Sequence, residues 1–225
     1  MILALETATT AASAALVANG VIVAEAAVAQ TRRHTEVLMG LIDEVLDAAH
    51  VQLSDLSAIA CDIGPGLFTG LRVGVAMAQG FGVAGQLSVI PVTSLFALAT
   101  VAVGPRAALV DARRGEVFVQ LFDGEALEPV PTTGPLVVAP ERLVEIISPS
   151  MVICGDGGTV AQEILTGAGR TFASGSPTAH AGAVGLLAEQ LPTSSWLPPS
   201  QLRPLYLRDA DAKVNFIVRN DPSTP

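Results

Sequence analysis

Ala58-Ile59-Ala60-Cys61-Asp62-Ile63-Gly64-Pro65-Gly66-Leu67-Phe68-Thr69-Gly70-Leu71-Arg72 runs from an apolar segment through a Gly-Pro-Gly break into a helical repeat. Ala58 to Ile63 reads as a buried strand, and the break stops it sharply. A helix then follows from about Phe68 to Val83. Free backbone N–H groups at such a helix start could hold an anion. The Gly-Lys-Ser/Thr ending of a phosphate loop is absent, however, so a purely structural turn fits as well. Gly66, Gly70, Gly74, Ala78 and Gly82 recur every four residues, which leaves one side of the helix almost bare and lets another backbone come close. Leu71, Val75 and Phe81 stand beside that stripe as apolar knobs. Two readings follow: tight packing against the chain's own sheet, or a helix–helix interface with another subunit.

Upstream, Ile2 to Leu5, Ala11 to Val17 and Val21 to Val28 read as strands, the last two joined at Asn19-Gly20, a two-residue hairpin signal. From Thr35 the period changes. Val37, Leu38, Leu41, Ile42, Val45, Leu46 and Ala49 form a helix stripe that ends near His50. Downstream, Leu87 to Pro91 reads as strand, Thr93 to Val103 as helix and Ala107 to Val110 as strand. The alternation predicts an α/β fold with a parallel or mixed sheet covered by helices. Gly104-Pro105 marks a boundary between an N-terminal lobe, 1–104, and a smaller second lobe, 105–213. In the latter, Glu116 to Phe122 and Met151 to Cys154 read as strands and Glu141 to Ile147 as a helix. Residues 192–204 are rich in Pro and Ser, and 214–225 are polar enough for a disordered tail.

The chain has 225 residues, half of them hydrophobic, and a formal charge of -9. Its basic residues are scattered along the sequence, so no cluster offers the positive patch nucleic acid needs, and the chain alone is expected to bind tRNA poorly. Cys61 and Cys154 lie in apolar runs without metal or disulfide spacing and are expected to be buried and reduced. Met1 to Glu6 lacks the basic start of a signal peptide, and Pro91 interrupts the longest uncharged run. Cytoplasmic residence without a membrane span is the resulting expectation.

Chemistry is sparse. Thr7, Thr9 and Thr10 follow the first strand at Glu6-Thr7-Ala8-Thr9-Thr10, and such a hydroxyl-rich turn could hydrogen-bond a cofactor. Ala8 nevertheless stands where a phosphate turn would want glycine. Gly155-Asp156-Gly157-Gly158-Thr159 is a second glycine-rich turn and weak evidence by itself. His34, His50 and His180 are isolated, and a structural histidine explains each better than a metal ligand. Asp111-Ala112-Arg113-Arg114-Gly115-Glu116 could bind a phosphate or carboxylate through two Arg, although salt bridging within the turn is the simpler account. No catalytic triad, carboxylate pair or nucleophilic Cys pattern emerges.

Taken together, Ile2-Leu3-Ala4-Leu5-Glu6-Thr7-Ala8-Thr9, His34-Thr35, the Gly64 to Arg72 run, Asp111 to Val117 and Pro204-Leu205-Tyr206-Leu207-Arg208 resemble the TsaB family. They occur in the family's order from residue 1 to about Lys213, and the match is thin between Phe122 and Leu202. The resemblance implies an actin-like ATPase (ASKHA) fold of two lobes, dimerising through the first two helices. It also implies a TsaD-like catalytic partner that carries the metal and transfers threonylcarbamoyl to adenosine in tRNA, joined by a TsaE-like ATPase. The partner's metal-binding histidine pair would need a second histidine at Leu38, so neither a catalytic nor a metal residue is expected here. The implied role is a non-catalytic subunit that touches tRNA only through the complex. It would have no cofactor of its own, with ATP or ADP admitted at the interface shared with the partner and a homodimer as a further possibility. The expected partner-binding residues are His34, Leu38, Leu41 and Val45 on one helix, and Gly66, Phe68, Gly70, Leu71, Gly74, Val75 and Ala78 on the other. A nucleotide-dependent ATPase or a glycoprotease-type metalloprotease are the alternatives.

Overall fold

The computed structural model describes residues 1–29, 33–175 and 178–208. Five strands, β1 (Ile2–Glu6), β2 (Ala12–Ala18), β3 (Val21–Val28), β4 (Ala58–Asp62) and β5 (Ser88–Val92), form a sheet in the order β3-β2-β1-β4-β5. The β2–β3 hairpin turns at Asn19 and Gly20 with φ 53 and 73, the left-handed values for which that dipeptide is suited. β1, β4 and β5 run parallel, so the chain crosses over through α1 (His34–Ala49) and α2 (Phe68–Gly85). Both helices cover the same face, α1 on β2 and β3, α2 on β4 and β5. The period of two shows in β1: Leu3 and Leu5 pack under the helices while Ile2 and Ala4 face the other way.

The other face meets the second lobe. After α3 (Ser94–Ala99) come β6 (Arg106–Arg113), β7 (Glu116–Gly124), β8 (Pro129–Pro131), β9 (Leu136–Val138), β10 (Val152–Cys154) and β11 (Thr171–Phe172). They form a sheet in the order β11-β10-β6-β7-β8, with β9 also on β7. The short helices α4 (Leu143–Ile146), α5 (Gly157–Val160) and α6 (Gln162–Gly167) lie on this lobe, and α7 (Ala181–Gln190) lies against β1 and β2 of the first sheet. A core of Ile2, Ala4, Ile90, Leu98, Phe122 and Val184 therefore joins the two sheets through α3 and α7. The strands separate at Gly104-Pro105, yet α7 and the segment after it return to the first sheet. Leu197 bridges to Val89, and the Leu205 amide donates to the Ile63 carbonyl at 2.7 Å.

α3 is shorter than its apolar run predicts. The Thr93 hydroxyl accepts the Phe96 amide at its start, and the Thr100 hydroxyl bonds back to the Ala97 carbonyl at its end. α7 sits in the region where the sequence pattern is weakest: Gly182 and Gly185 let it press on Ile22 and Val17. Cys61 and Cys154 are buried free thiols. No helix among the described residues is long and apolar enough to cross a membrane. The expected tail, 214–225, and the end of the second lobe from 209 lie outside the described residues.

Candidate functional site

The bare stripe of α2 faces inward. A Cβ on Gly66 would overlap the Ala8 carbonyl oxygen, and one on Gly70 would overlap that of Thr7. On Gly74 it would lie 2.5 Å from Thr7 Oγ1, and on Gly82 2.7 Å from Pro199 Cγ. Ala78 is fully buried. The stripe is thus the groove in which α2 passes over the β1–β2 turn, which corrects its assignment to a partner surface. Leu38, Leu41, Val45, Leu71 and Val75 likewise have at most 6% exposure and fill the core beneath the helices. Knobs that face a sheet cannot also face a second subunit.

The turn itself is closed by its own polar groups. Thr7 Oγ1 donates to the Gly70 carbonyl at 2.8 Å, and the Leu67 amide donates to the Ala8 carbonyl at 2.6 Å. Glu6 Oε1 accepts both the amide and the hydroxyl of Thr9. His34 Nε2 lies 3.1 Å and 3.2 Å from the carbonyl oxygens of Thr9 and Ala11, so this nitrogen carries the hydrogen and the ring pins the start of α1 to the turn. The hydroxyls of Thr7 and Thr9 are spent internally, and only Thr10 is half-exposed. These residues do not fit a nucleotide phosphate, which would meet two buried carboxyl groups here instead of free N–H donors.

Those carboxyls are the polar feature the sequence pattern did not reveal. Glu6 and Asp62 end the neighbouring parallel strands β1 and β4, one step past the Leu5–Cys61 pair, and both are fully buried. Asp62 Oδ1 accepts the Gly64 amide at 2.8 Å and the Ser94 hydroxyl at 2.7 Å, tying the Gly-Pro-Gly turn to α3. Glu6 Oε2 and Asp62 Oδ2 have no partner. Burial pushes Asp62 up to about 7, and burial with the Asp62 charge pushes Glu6 well above the usual carboxylate range. Isolated acids in two strands 56 residues apart carry no sequence signature that pairs them.

The outward side of α2 is largely apolar, while that of α1 also carries the exposed carboxylates Glu36, Asp43, Glu44 and Asp47. Arg72 is the one charged residue of α2, whose outward side carries Phe68, Ala76, Gly80 and Val83, the last 70% exposed. Met39 and Gly40 face solvent on α1. Of the expected partner residues on α2, Phe68 alone is on this side. At its end Arg72 lies 3.8 Å over the Phe68 ring and donates to the Tyr206 hydroxyl at 3.2 Å. In the second glycine-rich turn, Gly155 and Gly157 press on β6, and Asp156 accepts the Asp111 amide, so that turn is packing. Arg113 pairs with Asp111 at 2.8 Å within its own turn.

Residues 18–155 match the family model for TsaD, tRNA N6-adenosine threonylcarbamoyltransferase. The two helix-covered sheets and this match define the class, an actin-like ASKHA protein of the threonylcarbamoyltransferase family. Within it, the chain belongs to the TsaB family. It is 36% identical over 122 residues to the Escherichia coli tRNA threonylcarbamoyladenosine biosynthesis protein TsaB, and 39% identical over 122 residues to that of Haemophilus influenzae. These alignments cover 52% of this chain, and the chain spans about half the length of those curated relatives, 52% and 51%. An uncharacterised Mycobacterium tuberculosis protein is 32% identical over 94% of this chain and 93% of its own length. The solved structure of YeaZ from Pseudomonas aeruginosa superposes with a TM-score of 0.79 at 28% identity, covering 92% of this chain and 99% of that one.

Proposed function

We propose that this chain is a non-catalytic subunit in the addition of threonylcarbamoyl to adenosine in tRNA, docking through the outward side of α1 and α2 on a TsaD-like catalytic subunit. The observation that carries the reading is the apolar outer face of α2, an 18-residue helix with a single charge. A face of that kind is more apolar than one meant for water alone. The closed β1–β2 turn supports the absence of chemistry, because the groups that would hold a phosphate hold each other. ATP or ADP would accordingly sit at the shared interface, where a TsaE-like ATPase joins the pair. A homodimer through the same face is the form the chain would take without its partner.

Gly80 provides the test, since a Cβ there meets nothing within 4 Å. Gly80→Glu should fold normally and lose co-purification with the TsaD-like subunit, because burying an unpaired carboxylate at the contact is strongly unfavourable. In cells depleted of the native chain, this variant should fail to restore threonylcarbamoyladenosine in tRNA. Native-strength capture of the partner by the folded variant, or unchanged tRNA on depletion, would overturn the reading.

A further inference from the structure

Arg72, the Arg113-Arg114 pair and Arg208 are far apart in the sequence, yet the fold brings these four of the chain's twelve basic residues to one end. The segment after α7 runs back along α2, with Pro199 at Gly82, the Leu202 carbonyl on Gln79 and Tyr206 on Arg72. Two residues further, at most about 7 Å of chain, Arg208 reaches the Ala112 carbonyl at 3.3 Å and the Glu116 carboxylate. This sets the β6–β7 hairpin tip, with Arg113 and Arg114 both exposed, beside the Phe68–Arg72–Tyr206 cluster. The expectation of evenly scattered charge is corrected at this end of the molecule.

The chemistry of the patch is specific. Phe68 and Tyr206 are each 45% exposed, their centroids 5.3 Å apart and their planes 34° from parallel. Arg72 is fixed by the Phe68 face and the Tyr206 hydroxyl and has no carboxylate partner among the described residues. Asp111 and Glu116 each answer one arginine, and Asp156, beneath the hairpin, is pushed up by burial. Part-exposed aromatic rings next to fixed guanidinium groups suit a base with its phosphate: stacking accepts any base and the cation meets the backbone. A chain of net charge -9 repels RNA over most of its surface, which confines contact to this end.

We propose that this chain contacts RNA directly through the Phe68–Arg72–Tyr206 cluster and the arginines of the β6–β7 tip. The proposal rests on the reading that the chain acts on tRNA, and it replaces contact only through a partner with contact of its own. The test uses the full-length chain and unfractionated tRNA at low salt. Ultraviolet crosslinking should label the peptides that contain Phe68 or Tyr206. Arg72→Ala and Tyr206→Ala should each weaken binding roughly ten-fold, and Arg72→Ala should reduce the slope of log K against log salt by about 1. Arg142→Ala, in the distant exposed pair with Glu145, should change neither. Crosslinks elsewhere, equal weakening by Arg142→Ala, or folded cluster variants that keep native tRNA affinity but lose the TsaD-like protein would overturn it, the last marking a protein contact. If depletion abolishes the tRNA modification while no crosslink forms, the proposed function stands and this inference alone falls.

Discussion

Gly70→Leu is expected to lower the unfolding midpoint by roughly 6 to 12 °C, and Gly80→Ala, ten residues along the same helix, to raise it by roughly 2 to 4 °C. The opposite signs come from the two sides of α2. At Gly70 any Cβ overlaps the Thr7 carbonyl oxygen, which is part of the turn backbone and cannot swing away. Forcing a branched side chain into that contact costs about 3 kcal/mol or more. It also disturbs the Thr7 hydroxyl bond to the Gly70 carbonyl. At Gly80 the added methyl meets nothing, and alanine gains about 1 kcal/mol of helix propensity over glycine. Gly74→Leu belongs with Gly70, since its Cβ would sit 2.5 Å from Thr7 Oγ1. Reading the stripe as a partner surface predicts that this change spares the fold and detaches a partner; the structure assigns it to the fold. Thermal unfolding followed by circular dichroism decides the matter. A Gly70→Leu protein that melts at the native temperature would place the stripe outside the core.

The fold was legible where local chemistry is strong. The Asn19-Gly20 hairpin, the stripe from Val37 to Ala49 and the Gly-Pro-Gly break each act over a few residues, so their elements appear within a few residues of the expected bounds. A periodicity says that a face is special without saying what meets it. Leu38, Leu41 and Val45 mark the buried side of α1 as surely as they could have marked a coiled contact, and only the neighbouring strands decide between them. The site was less legible for the same reason. Arg72 and Tyr206 meet across 134 positions and Ser94 meets Asp62 across 32. No local pattern encodes those encounters. His34 is instructive in the other direction: reading it as a structural residue rested on the lack of a second ligand, and its bonds to the Thr9 and Ala11 carbonyls supply the positive reason.

The buried carboxyls make stability depend on pH with a sign opposite to that of an ion-paired acid. Burial raises Asp62 to about 7 against an ordinary value of 3.8, and Glu6 is raised as well, so the native state holds protons that the unfolded chain releases above pH 4. Stability contributed by those protons is complete at low pH and declines from about pH 4 to about pH 7, as the native pair is forced to ionise. At about 1.4 kcal/mol per pH unit for one proton, the loss across that window is on the order of 4 kcal/mol. His180 adds a smaller decline of the same sign. Its hydrogen bond to Glu25 at 2.9 Å raises it, so that contribution fades as pH passes above its ordinary 6.5. Glu25 works oppositely at the acid end. Burial opposes its ionisation, but the His180 and Gly182 bonds outweigh that and lower it, so its contribution is lost as pH falls through its native value. Asp62→Asn separates the buried pair from the rest. The amide keeps an acceptor for Gly64 and Ser94 and removes one acid. Urea unfolding at pH 5, 6, 7 and 8 should show the wild type weakening steadily and Asp62→Asn weakening less steeply, because burial still raises Glu6, the variant being the more stable protein at pH 8. Parallel profiles for the two proteins would mean that Asp62 is ionised in the native state throughout, and that its burial is compensated by the Gly64 and Ser94 bonds alone.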